Sequence, residues 1–317
     1  MKYFITGAAG FIGSNMADYL LSKGNEVIGF DNLSTGKKSF LLSTNNDSNF
    51  KFINGDILNI SELTLAMIGC DFVFHFSANA DVRFGLNHTN KDLEQNTLGT
   101  YNVLDAMRTN NISKIAFSST GSVYGEAKLI PTPEDAPFPI QTSFYGASKL
   151  AGESLLSAFA EGFNFQVWIF RFVSILGERY SHGHVYDFYK QLLKDPTKLA
   201  VLGNGKQRKS YLYVGDCIDA IMVALEKAND KVNILNLGTE EYCEVNDSIG
   251  WISEHLKLHP VLSYTGTERG WIGDNPFIFL DTKKIRNLGW KPKYTIKEGI
   301  IKTIQYLESN QWLLNEK

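Results

Sequence analysis

The chain is short of several things, and each shortage removes a class of protein. Cysteine is scarce: Cys70, Cys217 and Cys243 are scattered through 317 residues. Three such cysteines cannot staple a small secreted fold and have no metal-ligand spacing, so buried thiols in a reducing cytoplasm are expected. The six histidines form no metal motif either. His182 and His184 are close neighbours, but suit a turn or a substrate loop better than a metal. No apolar run reaches the roughly 18 residues of a membrane helix, and no cleavable leader pattern precedes the first apolar segment. A cytoplasmic protein without a membrane partner is therefore expected. Charge of one sign is also lacking: 31 Lys and Arg against 34 Asp and Glu leave a net charge of −3. With no long basic run, nucleic acid is not an expected partner, and any anion site must be local. Repeats and low-complexity tracts are missing as well.

What is present is enough apolar residue to build a large core. Hydrophobic content is 44% and charged content 21%, the balance of an ordinary globular enzyme. The length predicts one large domain or two. At the amino terminus, apolar Tyr3, Phe4 and Ile5 run into Gly7, Gly10 and Gly13, spaced G-x-x-G-x-x-G. Phe11, Ile12, Met16, Tyr19 and Leu20 then recur at helical spacing, and Gly24 predicts the stop. Val27, Ile28 and Phe30 make a second short strand that ends at Asp31 and Asn32. Glycines at such a turn let the backbone approach a pyrophosphate seated on the helix N-terminus. An acid at the end of the next strand accepts from a ribose 2′-hydroxyl and favours NAD over NADP. The expected cofactor-binding residues here are Gly7, Gly10, Phe11, Ile12, Gly13, Asp31 and Asn32.

Further short apolar segments at 51–53, 71–76, 114–118 and 166–172 alternate with helical patterns. That alternation predicts an α/β fold, a Rossmann-type doubly wound parallel sheet covered on both faces. Residues 37–50 read as a surface excursion. Near residue 171 the alternation loosens, and apolar runs return at 211–214 and 233–237. We expect a cofactor domain over 1–170, with returning segments near 210–238. A smaller, interleaved substrate-binding domain is expected over 171–317. Trp168 and Trp290 read as core, and His75 as a satisfied residue at a strand end beside the cleft.

Two segments carry the chemistry. In FYGASKL, Tyr145 and Lys149 stand at i, i+4, on one face if the segment is helical. A lysine ammonium beside a phenol favours the phenolate, pulling its pKa down from about 10 and making it a proton acceptor and donor. FSSTGSVYG brings the hydroxyls of Ser118, Ser119 and Thr120 to the end of a strand. Together with TGAAGFIG, these segments resemble the extended short-chain dehydrogenase/reductase family, specifically its nucleotide-sugar epimerases and dehydratases. The likeness spans essentially the whole chain. It is strongest to UDP-hexose 4-epimerases, through SSTGSVYGE, RYSHGHVYDFY, QRKSYLYV and RGWIGD.

The resemblance implies a function and a set of roles. Tyr145 would be the catalytic base, Lys149 its neighbour reaching also to the nicotinamide ribose, and Thr120 the hydroxyl bonded to the reacting sugar. Asp56 and Ile57 would contact adenine, and Ser77 and Asn96 would lie near the phosphates and nicotinamide. Ser174, Val185, Arg208, Lys209, Arg269 and Asp274 would bind substrate, and Ile278 would limit the size of the sugar. Serine at 174 replaces the family's usual asparagine, and Lys209 replaces a usual arginine, with Arg208 beside it. The 4,6-dehydratases carry Asp-Glu directly after the threonine, and glucuronate decarboxylases a glutamate two after it; here Gly121 and Ser122 stand there. The implied reaction is NAD-dependent epimerisation at C4 of a UDP-hexose through a 4-keto sugar. The alternative is an epimerase or reductase acting on a GDP-, CDP- or dTDP-linked hexose or heptose. A homodimer formed through helices, including the one bearing Tyr145, is implied as well.

Overall fold

The computed structural model describes residues 1–79, 87–137, 140–268, 275 and 277–315. Its strands are β1 (Lys2–Thr6), β2 (Glu26–Asp31), β3 (Phe50–Asn54), β4 (Phe72–His75), β5 (Lys114–Thr120), β6 (Gln166–Phe172) and β7 (Ser174–Leu176). There follow β8 (Lys198–Val201), β9 (Arg208–Lys209), β10 (Tyr211–Tyr213), β11 (Val232–Leu237), β12 (Cys243–Glu244), β13 (Val261–Tyr264) and β14 (Phe277–Ile278). The helices are α1 (Phe11–Ser22), α2 (Ile60–Ala66), α3 (Thr89–Asp92), α4 (Gly99–Thr109), α5 (Phe144–Phe163) and α6 (His184–Lys194). They continue as α7 (Val214–Lys227), α8 (Val245–Leu256), α9 (Lys283–Asn287), α10 (Ile296–Ser309) and α11 (Trp312–Asn315). A π-helical segment, Leu93–Leu98, joins α3 to α4.

Seven strands form one sheet in the order β11–β6–β5–β4–β1–β2–β3, every pair parallel. Alternate side chains enter two cores. Ile5, Val27, Phe74, Ala116 and Phe170 pack with Met16 and Leu20 of α1 and Ile218 and Ile221 of α7. Phe4, Ile28, Val73, Ile115 and Ile169 pack on the opposite face with Leu63, Leu104 and Leu156 of α2, α4 and α5. A strand buried on both faces must be apolar throughout, which is why these segments read as short continuous runs. Trp168 and Trp290 belong to the first core. A third cluster, from α6, α8, α10, β8 and β10, builds a lobe beyond the sheet. β11 comes from the carboxyl-terminal half yet pairs with β6, whereas β10 pairs with β7 in a sheet of two.

Local signals set the ends that matter. α1 starts at Gly10, and Gly24, at φ +73°, takes the left-handed position after its end. Ser143 caps α5 by accepting from the Gly146 N–H at 3.0 Å, and Asn164 closes it in the left-handed conformation. The chain runs outward from β1 through β2 to β3, then returns to β1's other side with β4. Such a switch point leaves a crevice at the carboxyl ends of the strands, where open α/β sheets bind ligands. Among the described residues, no helix is long and apolar enough to cross a membrane.

Candidate active site

The crevice is lined by the glycine turn after β1, the ends of β2 and β4, and one face of α5. Gly7 sits at φ +69°, and a Cβ there would lie 2.8 Å from the Ser77 nitrogen. A Cβ on Gly13 would strike the Gly7 carbonyl oxygen. The turn and helix therefore touch through backbone alone, and α1 begins without a side-chain cap on Gly10. Phe11 and Ile12 open the helix and line the same wall. Their N–H groups belong to the first helical turn, where no carbonyl of the helix can accept them. That cradle suits a pyrophosphate.

Asp31 is buried at the end of β2 and lines the crevice. Its carboxylate accepts from Leu33 N at 2.7 Å and Ala9 N at 3.0 Å, so it also fastens the glycine turn. Burial raises its pKa, and those two N–H groups work against the rise. An ionised carboxylate offers about four acceptor positions, which leaves room for a ribose hydroxyl. Asn32 lines the crevice and donates to Asp56 at 3.0 Å. Ile57 and Ser77 line it; Asp56 does not, though its sequence neighbours Gly55 and Ile57 do. These residues fit the NAD implied by the glycine pattern.

Two residues expected at the crevice lie behind it. Asn96 is 1% exposed and spends its amide on Asp92 (3.1 Å), Ser148 (2.9 Å) and the Asn79 N–H (2.8 Å). It braces the wall, and its neighbour Gln95 does the lining, because successive positions on a helical segment face different ways. His75 is fully buried beneath the floor, between Thr6 (2.7 Å) and Thr100 (3.0 Å). Burial, aided by Lys149, lowers its pKa to about 3, so it is neutral.

Thr120, Tyr145 and Lys149 all line the crevice. Thr120 ends β5 and caps the following 3₁₀ turn: its hydroxyl accepts from Ser122 N at 3.1 Å and donates to the Ser122 hydroxyl at 3.2 Å. The expected pull of Lys149 on the Tyr145 phenol is not found. Burial raises the Tyr145 pKa, and Asp92 raises it further. The lysine is otherwise engaged. Its ammonium donates to the Ser118 carbonyl at 2.8 Å and lies 4.7 Å from the Phe117 ring centre. Burial lowers its pKa to about 7, against the opposing charges of Glu153 and Asp92.

The crevice opens into a larger groove between sheet and lobe, which Thr120 and Tyr145 also line. Ser174, exposed at the start of β7, faces this groove, as does Ile278. Lys209 lines it and donates to the Asn275 carbonyl at 2.7 Å. Arg208, its neighbour on β9, does not line it. The guanidinium is stacked 4.1 Å over Phe277 and 5.8 Å from Tyr242, because adjacent strand residues face opposite ways. Val185 is not a groove residue either. It is fully buried in the apolar stripe Val185, Phe188, Tyr189 and Leu192 of α6, while His184 and Tyr186 face outward to the groove. Arg269 and Asp274 lie outside the described residues.

Several lining residues carried no sequence expectation. Ser34, Thr35 and Gly36 border both cavities, and Lys37 and Lys38 the outer one. The 37–50 segment is thus more than a surface excursion at its start. Lys37 N donates to Ala9 O at 2.8 Å, a long-range tie that folds the segment over the glycine turn. Tyr180 borders both cavities and packs edge-on against Phe11 at 5.7 Å. His182 stacks on Tyr180, and His184 bonds the Tyr211 hydroxyl at 3.0 Å. Burial and Lys209 lower the His184 pKa to about 3. The cluster of aromatics and histidines in RYSHGHVY was its only sequence signal. Among the described residues, no three metal-ligating side chains converge.

A glycine turn, a buried acid and a switch-point crevice lined by Tyr145 and Lys149 are the architecture of a Rossmann-type dinucleotide-dependent enzyme. Residues 3–238 match the NAD dependent epimerase/dehydratase family, and the chain belongs to it. It is 30% identical to a UDP-glucose 4-epimerase of Mycolicibacterium smegmatis, over 98% of this chain and 99% of that one. Its structure resembles that of a UDP-galactose 4-epimerase with a TM-score of 0.88 at 34% identity, covering 98% and 100% of the two chains. A UDP-glucuronic acid 4-epimerase from Bacillus cereus, in complex with UDP-glucuronic acid and NAD, gives a TM-score of 0.90 at 28% identity, covering 98% and 99%. The enzyme is NAD-dependent, and its family works on nucleotide sugars.

Proposed function

We propose that this enzyme inverts C4 of a UDP-linked hexose through a transient 4-keto sugar. One observation carries the reading: Thr120, Tyr145 and Lys149 line one crevice, Thr120 and Tyr145 also line the Lys209 groove, and the positions after Thr120 are Gly121 and Ser122. Neither can protonate and expel a C6 hydroxyl. Gly121 is held against Ile278, where a Cβ would meet that side chain at 2.8 Å, so no larger residue fits without movement.

When bound, NAD supplies the acceptor that takes the C4 hydride and returns it, together with the positive charge a phenolate beside it requires. Tyr145 removes the O4 proton as the C–H bond breaks, and gives it back when C4 is reduced on its other face. Thr120, fixed by its cap on Ser122, offers its hydroxyl to O4 by turning its hydrogen away from Ser122. Lys149 is held on Ser118 at the back of the site, near half-protonation at neutral pH. Lys209 places a cation in the outer groove, where a diphosphate is recognised as a double anion. Ser174 supplies a small hydroxyl beside the sugar, and Ile278 caps the space against Gly121.

Leu93, Leu98, Tyr101, Phe144 and Phe163 are large apolar side chains exposed on the Leu93–Leu98 segment, α4 and α5. They support a homodimer through this face, which sedimentation would register as twice the chain mass. The reaction itself is tested by incubating the protein with UDP-glucose, UDP-N-acetylglucosamine, UDP-glucuronate and their GDP, CDP and dTDP counterparts. Proton NMR at C4 should report inversion of a UDP sugar without net redox product. Inversion confined to another nucleotide, or stoichiometric NADH release, would overturn the assignment.

A further inference from the structure

One helical turn after Lys149 on α5 stands Glu153, 4% exposed. Two strands grip its carboxylate. Arg171 of β6 reaches it with Nε at 3.0 and 3.3 Å and with Nη2 at 2.7 Å. The Ser119 hydroxyl of β5 donates to it as well. Arg171 also donates Nη1 to the Tyr124 hydroxyl (2.7 Å) and to the Glu134 carbonyl (3.0 Å). Tyr124 in turn donates to Asn236 of β11 at 2.8 Å. Neither Glu153 nor Arg171 lines the crevice or the groove. A buried ion pair is weak support for stability, since apolar residues of similar volume often do as well. Its neighbours give it a different meaning. Ser119 lies between Ser118, whose carbonyl holds the Lys149 ammonium, and Thr120.

We propose that Glu153, clamped by Arg171 and Ser119, is the positioning residue that sets where Lys149 sits and keeps its side chain charged beside Tyr145. The inference rests on the reading of Lys149 as part of the reacting site. The charged and titratable groups around Lys149 come from four elements. Its own helix supplies Glu153 and Tyr145, α3 supplies Asp92, β4 supplies the neutral His75, and β6 supplies Arg171 behind Glu153. Burial lowers the Lys149 pKa, and the charges of Glu153 and Asp92 hold it up at about 7. Removing the Glu153 charge takes away a stabilising anion and exposes Lys149 to Arg171. The ammonium then loses its proton at a lower pH.

The test reads Lys149 directly. NAD-loaded protein carrying lysine labelled with ¹³C at Cε is titrated by NMR, with a Lys149→Met variant to assign the resonance. Glu153→Gln should lower the Lys149 midpoint by roughly 1–3 pH units. Glu153→Gln/Arg171→Gln leaves no unpaired buried charge, should fold where the single variant does not, and should lower the midpoint by less. In turnover, the alkaline limb of the pH profile should move down with the midpoint. An unmoved Lys149 midpoint in a folded variant would make the Glu153–Arg171 pair scaffold alone and overturn the proposal. A shifted midpoint in a protein that epimerises no nucleotide sugar would sink the reaction assignment and leave this inference standing.

Discussion

Gly13→Ala adds a single methyl group at the point where α1 meets the glycine turn. That Cβ would fall on the Gly7 carbonyl oxygen, 2.8 Å from the Gly7 carbonyl carbon and 3.0 Å from the Ala8 Cα. All three are backbone atoms, so no side chain can rotate away. Restoring ordinary contact of about 3.5–4.0 Å to that oxygen moves the helix off the turn by more than about 1 Å. Overpacking of this kind costs about 1–3 kcal/mol. A displacement of that size would also pull the Phe11 and Ile12 N–H groups away from where phosphate oxygens would sit, and misplacement by about 1 Å can cost ~100-fold. Gly250→Ala is the control: Gly250 is exposed inside α8, and nothing lies within 4 Å of its added Cβ. It should gain roughly 0.5–1 kcal/mol from helix propensity. Urea denaturation and mass spectrometry of co-purified NAD read the two effects. Gly13→Ala with the stability and NAD content of Gly250→Ala would refute the close-approach argument.

Tyr145→Phe should keep NAD and lose turnover by about 100- to 10,000-fold, seen as a loss of C4 inversion by NMR. Lys209→Ala should raise KM for the nucleotide sugar by roughly 10-fold or more, since hydrogen bonds to a charged group contribute about 1.5–3 kcal/mol. Arg208→Ala, which removes a side chain stacked away from the groove, should leave KM unchanged. Arg171→Ala strands a buried Glu153 carboxylate and should cost about 3–5 kcal/mol of unfolding free energy by denaturant titration. Val185→Ala removes two buried methyl groups, so it should cost about 1.6 kcal/mol with KM untouched.

Much of the site was legible because its residues act close in sequence. Gly7, Gly10 and Gly13 answer to a turn and helix start within one segment, and Asp31 ends the very next strand. Thr120 and Tyr145 stand at a strand end and near a helix start, positions that parallel sheets bring to one edge. The structure departs from the sequence expectation where facing decides. Arg208 and Lys209 are equivalent cations in sequence, yet one strand position separates groove from outer face. Val185 sits between two groove residues, but the α6 stripe turns it inward. Asn96 follows a residue that lines the crevice, yet braces the wall from behind.

Strand–helix alternation and the glycine spacing are written in residue type, because each needs only backbone geometry and apolar period. They determined the parallel sheet, the crevice at its switch point and a glycine turn whose bare backbone borders it. The electrostatics of Tyr145 and Lys149 were decided elsewhere. Helical spacing puts the two on one face, but burial, Asp92, the Ser118 carbonyl and the Glu153–Arg171 pair arrive from other elements. Charge interactions strengthen with desolvation, and desolvation is a property of the packed chain. Only the tertiary structure could keep the proton on the phenol and bring the lysine's pKa down to about 7.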